Sequence, residues 1–92
     1  MLTNKIVVIT GGAGFLGQEF AKAILENKGI PIIADFNKKR GLEVIGLLKE
    51  LYPNGQMEYQ SLDINNKQSI LKMIEALNLK YGGINALVNN AY

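Results

Sequence analysis

The 92-residue chain has no cysteine, no histidine and no tryptophan, and only two prolines. Without cysteine there is neither a disulfide framework nor a thiolate for metal or nucleophile. Without histidine the common zinc sites and the imidazole base are excluded as well. Charge is sparse and balanced: ten basic residues against eight acidic give a net +2, and only Lys38, Lys39 and Arg40 form a run. Nucleic acid finds no electrostatic footing on such a chain. No apolar stretch approaches the roughly 18 residues of a membrane span, and Met1 to Ile9 runs into glycines too soon for a secretory signal. Neither nucleic acid nor membrane is expected as a partner, no metal site is expected, and a cytoplasmic location follows by default.

What is present suits a folded domain, with 48 % hydrophobic and 20 % charged residues. One folding unit covering residues 1–92 is expected. A chain of this size buries only about 60 to 65 % of its unfolded surface. That thin margin leads to the expectation of an N-terminal portion of a longer single-domain protein.

Short β-branched runs alternate with longer stretches of helical spacing, the pattern of βαβ units around a parallel sheet. Ile6, Val7, Val8 and Ile9 read as a central strand covered on both faces. Leu16, Phe20, Ala23 and Ile24 lie at offsets of four, seven and eight, predicting one face of a helix from Phe15 to about Asn27, with Gly29 as its stop. Pro31 to Ala34 predicts a second strand, and Leu42, Ile45, Leu48, Leu51 and Tyr52 a second helix closed by Pro53, Asn54 and Gly55. A third strand is expected at about Gln56 to Ser61. A third helix is expected from about Lys67 to Tyr81, with Ile70, Met73, Ile74, Leu77 and Tyr81 inward, Asn65 or Asn66 as its cap and Gly82-Gly83 after it. Ile84 to Val88 is a fourth strand. The result is an α/β, Rossmann-type doubly wound parallel sheet, βαβαβαβ, with strand order 3-2-1-4, truncated after the fourth strand.

Thr10 to Gly17 reads Thr-Gly-Gly-Ala-Gly-Phe-Leu-Gly between the first strand and the first helix. Here Gly11 permits a tight turn, Gly14 lets backbone approach a pyrophosphate, and Gly17 lets helix and strand lie close. The amides that open the helix, at Phe15 and Leu16, then face the phosphates. Asp35 follows Gly17 by 18 residues at the end of the second strand, near the offset at which a carboxylate reaches the adenosine ribose hydroxyls. A carboxylate there, followed by the uncharged Phe36 and Asn37, favours NAD over NADP. Lys38, Lys39 and Arg40 read as a solvated helix start, a run that also lies near a 2′-phosphate.

With these residues in place the chain resembles the short-chain dehydrogenase/reductase family over essentially its whole length. Asp63 and Ile64, after the third strand, match the positions where that family meets the adenine. Asn89, Asn90 and Ala91 resemble its Asn-Asn-Ala-Gly motif, which implies sheet bracing by Asn89 and a ribose lining by Asn90 and Ala91. The glycine spacing is closer to the family's extended, nucleotide-sugar-modifying subgroup, whereas Asn-Asn-Ala belongs to the shorter one. Tyr92 stands where the motif has glycine, which implies an altered pocket beside the nicotinamide. The combination resembles bacterial oxidoreductases of surface-sugar or flagellin modification.

The resemblance implies an NAD-dependent enzyme acting on a small-molecule alcohol or carbonyl, homo-oligomeric at full length. The family's catalytic Asn, Ser and Tyr-x-x-x-Lys set would lie beyond residue 92, so no catalytic residue is assigned. Two other functions stay open: a nucleotide-sugar epimerase or dehydratase using the same cofactor, and a non-catalytic dinucleotide-binding sensor.

Overall fold

The computed structural model of the protein describes residues 1–90. Its elements in chain order are β1 (Ile6–Thr10), α1 (Phe15–Glu26), β2 (Ile30–Asp35), α2 (Lys38–Leu51), β3 (Glu58–Ser61), α3 (Lys67–Tyr81) and β4 (Ala86–Asn89). The four strands form one parallel sheet in the order β3-β2-β1-β4. This is the expected Rossmann-like α/β fold.

All five residues of β1 are buried because both faces of the sheet are covered. Alternate side chains point to opposite layers. Val7, Ile9 and Ile33 pack with Ala21, Ile24 and Leu25 of α1 and with Val44 and Leu48 of α2. Ile6, Val8, Ile30 and Ile32 pack with Met73 and Leu77 of α3. Each fully buried isoleucine contributes about 1.5 to 3 kcal/mol, so these central strands carry much of the fold's stability.

Helix α1 presents a different face from the one its apolar spacing predicts, and α2 buries Leu48 with Ile45 and Tyr52 beside the core as expected but turns Leu42 and Leu51 outward. On α1 the buried set is Gly17, Ala21, Ile24 and Leu25, while Leu16 and Phe20 are 56 % and 41 % exposed. The offsets are still four, seven and eight, but the helix is turned by one residue, about 100°. A Cβ at Gly17 would lie 2.6 Å from Gly12 Cα, so the glycine must face the strand and it fixes the rotation. On α2 the buried residues are Gly41, Val44 and Leu48, with Leu42 and Leu51 about half exposed. There a Cβ at Gly41 would run into the ring of Tyr59. Helix α3 has no such glycine, and its buried residues, Met73 and Leu77, are among those expected.

The helix ends differ as well. Asn37 and Asn66 cap α2 and α3 by accepting from the backbone N–H groups of Arg40 and Ser69. Gly82 ends α3 in the left-handed conformation, at φ 83°. After α1, however, Lys28 takes the left-handed position, at φ 65°. The N–H of Lys28 then donates to Leu25 O at 3.0 Å and that of Gly29 to Ile24 O at 2.9 Å. Gly29 is required for space instead, since a Cβ there would meet Ile24 Cγ2 at 2.7 Å.

The edge strand β3 is tied to the end of α3 through Glu58. Its carboxylate accepts from Lys80 Nζ and from the Tyr81 hydroxyl, each at 2.7 Å, and from Gln60 Nε2. Burial pushes the Glu58 carboxyl up, but the hydrogen bonds from Lys80, Tyr81 and Gln60 together outweigh it and hold the group below its ordinary value of 4.5. Tyr81, expected as a core residue, is thus half-buried with its hydroxyl engaged.

Lys28→Gly should stabilise the chain by about 0.5 to 1 kcal/mol, because glycine adopts the left-handed conformation without the Cβ penalty. Urea denaturation followed by circular dichroism checks this; no gain would contradict the left-handed cap. Glu58→Gln should lower stability at pH 7. A depressed carboxyl stabilises the fold above its unfolded value and loses that contribution as pH falls through the folded value. The deficit of the variant should therefore shrink below pH 4.5. Denaturation midpoints between pH 3 and 7 (about four pH units, spanning the ordinary carboxylate range) test the sign.

Candidate functional site

The carboxyl ends of β1, β2 and β3 open into a cleft of about 410 Å³ lined by Gly11, Ala34, Asp35, Phe36, Leu62, Asp63, Ile64 and Asn65. Five of the residues singled out by the sequence therefore meet in one place: Gly11, Asp35, Phe36, Asp63 and Ile64. Open doubly wound sheets bind ligands at this end. A larger groove of about 470 Å³ lies at the opposite end, beside Thr3, Asn4 and Tyr52 to Gln56, and contains none of them.

The loop between β1 and α1 is shaped by its glycines in three ways. Gly11 sits at φ 64°, a left-handed conformation that most residues resist. Gly12, which the sequence reading did not single out, would with a Cβ press Ile33 Cγ2 and Ile9 O at 2.9 Å. Gly17, in the first turn of α1, is buried against Gly12. Gly14 is different: a Cβ there would find only Gly11 O, at 3.5 Å, which is ordinary contact. Nothing inside the chain demands glycine at 14, and the residue is exposed.

Gly14 is also the N-cap of α1, and it is the one cap of the three helices that supplies no side-chain hydrogen bond. No acidic residue occupies the first turn. The helix thus presents its N-terminal amides, with their partial positive charge, beside the exposed Phe15 and Leu16. That arrangement suits an anion.

Asp35 closes β2 with both carboxylate oxygens on backbone amides. Oδ2 accepts from Ala13 N–H at 3.0 Å, and Oδ1 from Asn37 N–H at 2.9 Å. A carboxylate has about four acceptor sites, so capacity for two hydroxyls is left. Asp63 is placed similarly, its Oδ1 accepting from Asn65 N–H at 3.0 Å while its own N–H donates to Ser69 Oγ at 2.9 Å.

At the end of β4, Asn90 fastens the loop's base. Its N–H donates to Thr10 Oγ1 at 3.0 Å and its Nδ2 to Gly11 O at 3.2 Å, while Asn89 Oδ1 lies 3.4 Å from the Thr10 hydroxyl. Bracing, expected of Asn89, is thus shared by Asn90. The expectations for Ala91 and Tyr92 fall outside the described residues. Arg40, read as part of a solvated run, reaches the loop, with Nη2 donating to Ala13 O at 2.9 Å. The sequence carried no signal for that contact across 27 positions.

The fold and the cleft define an α/β protein of the Rossmann type. The sequence model of the short chain dehydrogenases matches residues 5–91, and the chain belongs to that oxidoreductase family. It is 39 % identical, over its whole length, to the post-translational flagellin modification protein A of Campylobacter coli, of which it spans 36 %. It superposes on L-sorbose reductase from Gluconobacter frateurii, solved with NADPH and L-sorbose, with a TM-score of 0.90 at 23 % identity, covering 99 % of this chain and 34 % of that one. A xylitol dehydrogenase solved with NAD+ gives 0.89 at 19 % identity, covering 98 % and 34 %. Those two likenesses concern the fold. The chain spans about a third of the length of these proteins.

The glycines separate into packing and approach roles, which substitution should resolve. Gly17→Ala should cost at least about 2 kcal/mol of stability, because the new methyl meets backbone at 2.6 Å. Gly14→Ala should stay within about 0.5 to 1 kcal/mol of the parent. Thermal unfolding of both variants tests this, and equal losses would remove the distinction.

Proposed function

We propose that the chain forms the NAD-binding part of an oxidoreductase acting on a small alcohol or carbonyl compound. The observation that carries this reading is the convergence in one cleft of the Asp35 carboxylate with the glycine loop that leads into an uncapped helix. In this reading Gly11, Gly14, Phe15 and Leu16 receive the pyrophosphate through backbone, and Gly17 keeps α1 close enough for them to do so. Asp35 and Phe36 take the adenosine ribose, Asp63 and Ile64 the adenine, and Asn90 and Ala91 the second ribose. The nicotinamide, when bound, would supply hydride exchange with the substrate.

The residues present fit that group. The exposed Gly14 leaves backbone accessible, the α1 amides offer charge to phosphate, and Asp35 keeps acceptor sites free of its own amides. No proton-transfer set of the family has a counterpart among the 92 residues, so the part of this chain is to bind and orient. The resemblance to bacterial oxidoreductases of surface-sugar or flagellin modification favours a sugar derivative as the substrate, and the family resemblance favours a homo-oligomeric enzyme as the whole.

NAD is the cofactor we assign, on the strength of Asp35. Two hydroxyls donating to a carboxylate contribute about 1.5 to 3 kcal/mol each, whereas a 2′-phosphate near it is repelled by about 1 to 4 kcal/mol per charge pair at 4 Å. Since about 1.4 kcal/mol is a factor of ten, NADH should bind the full-length protein at least about ten times more tightly than NADPH at moderate salt. Asp35→Asn, which keeps an acceptor for only one of the Ala13 and Asn37 N–H groups and loses the charge, should narrow the gap mainly by weakening NADH. Calorimetric titration decides; equal parental affinities for the two cofactors would refute the assignment.

A further inference from the structure

Ala13 is held by every group it has. It is 4 % exposed, and its methyl belongs to the core layer with Val7, Ile9, Ile33 and Val44. Its N–H donates to Asp35 Oδ2, and its carbonyl accepts from Arg40 Nη2 at 2.9 Å and, at 3.5 Å, from Gln18 Nε2. The residues on either side, Gly12 and Gly14, are the ones whose backbone would otherwise be freest to turn.

The Arg40 contact closes a ring of hydrogen bonds. Asp35 Oδ2 takes Ala13 N–H, Ala13 O takes the guanidinium, Arg40 N–H donates to Asn37 Oδ1 at 3.0 Å, and Asn37 N–H donates to Asp35 Oδ1. The ring joins the end of β2 and the start of α2 to the loop that leads into α1. One link in it is made by a flexible side chain across the loop, and that link is charge-assisted.

We infer that Arg40 is a positioning residue for the pyrophosphate: by holding the Ala13 carbonyl it keeps Gly14 and the α1 amides in a phosphate-receiving arrangement before the cofactor arrives. This rests on the dinucleotide-binding reading above and adds to it a residue that makes no contact with the adenosine. Order in the free loop lowers what must be fixed on binding, so its loss weakens affinity without removing a ligand contact. The role needs a donor of arginine's length at position 40. Lysine, one atom shorter and still cationic, should serve in part, and methionine, with neither donor nor charge, should not.

The test compares Arg40→Met and Arg40→Lys with the parent in the full-length protein. Titrations with NADH, NADPH and adenosine are combined with amide hydrogen exchange of the ligand-free loop. Arg40→Met should weaken NADH and NADPH alike by at least about fivefold, with adenosine changed less than about twofold, as expected for a loss of preorganisation that adenosine does not use. Exchange at Ala13 N–H should accelerate by a similar factor, and Arg40→Lys should recover part of both effects. Unchanged NADH affinity in Arg40→Met, or unchanged exchange at Ala13, overturns the inference. Loss of NADPH affinity alone overturns it in favour of a direct 2′-phosphate contact. A parent protein that binds no NADH removes the dinucleotide reading and this inference together, whereas normal parental binding with an unaffected variant removes only the role of Arg40.

Discussion

The approach of Gly17 to Gly12 governs how the rest of the molecule is arranged. Because a single Cβ there would lie 2.6 Å from backbone, α1 can settle on β1 only with that glycine inward. The rotation of the helix follows, and with it the burial of Ala21, Ile24 and Leu25 and the exposure of Phe15, Leu16 and Phe20. The same contact brings the helix N-terminus to the carboxyl end of β1, where the loop is short and Gly11 must turn left-handed. Close packing and an exposed helix terminus at the cleft are therefore two consequences of one steric fact.

Asp35 shows how a residue proposed to take a cofactor can also be structural. Its carboxylate sits at the cleft, yet both oxygens already hold the amides of Ala13 and Asn37. The charge that would select a ribose over a phosphate is thus kept in place by the loop that would hold the pyrophosphate. Arg40 completes the arrangement from the far side, so the acidic and basic groups act on one backbone segment without forming an ion pair. At the other edge, Asn90 fixes Gly11 from the end of β4, so the loop is secured from two strands and one helix.

The helices show where apolar spacing is a sufficient guide and where it is not. For α3 the inward positions Met73 and Leu77 were legible, because no glycine contact competes with hydrophobic burial in setting its rotation. For α1 the spacing pointed to the neighbouring stripe, and for α2 it found Leu48 but not Gly41 and Val44, because glycine, which carries no hydrophobic signal, sits on the inward face of both. Lys28 illustrates the same limit at a helix end. Gly29 next to it looked like the left-handed residue, but the space beneath Ile24 claimed the glycine and left the strained conformation to lysine.

By itself the sequence determined the order of elements, the 3-2-1-4 sheet and the residues that meet at its carboxyl edge. These follow from local signals: apolar runs, an asparagine cap, and glycines placed between strand and helix. Tertiary structure decided which face of α1 and α2 is buried, which glycines pack and which stay accessible, and that Arg40 holds Ala13. Those outcomes depend on distances between segments far apart in the chain, down to a clash of a few tenths of an ångström or one guanidinium reaching one carbonyl, and no periodicity in the sequence encodes such a distance.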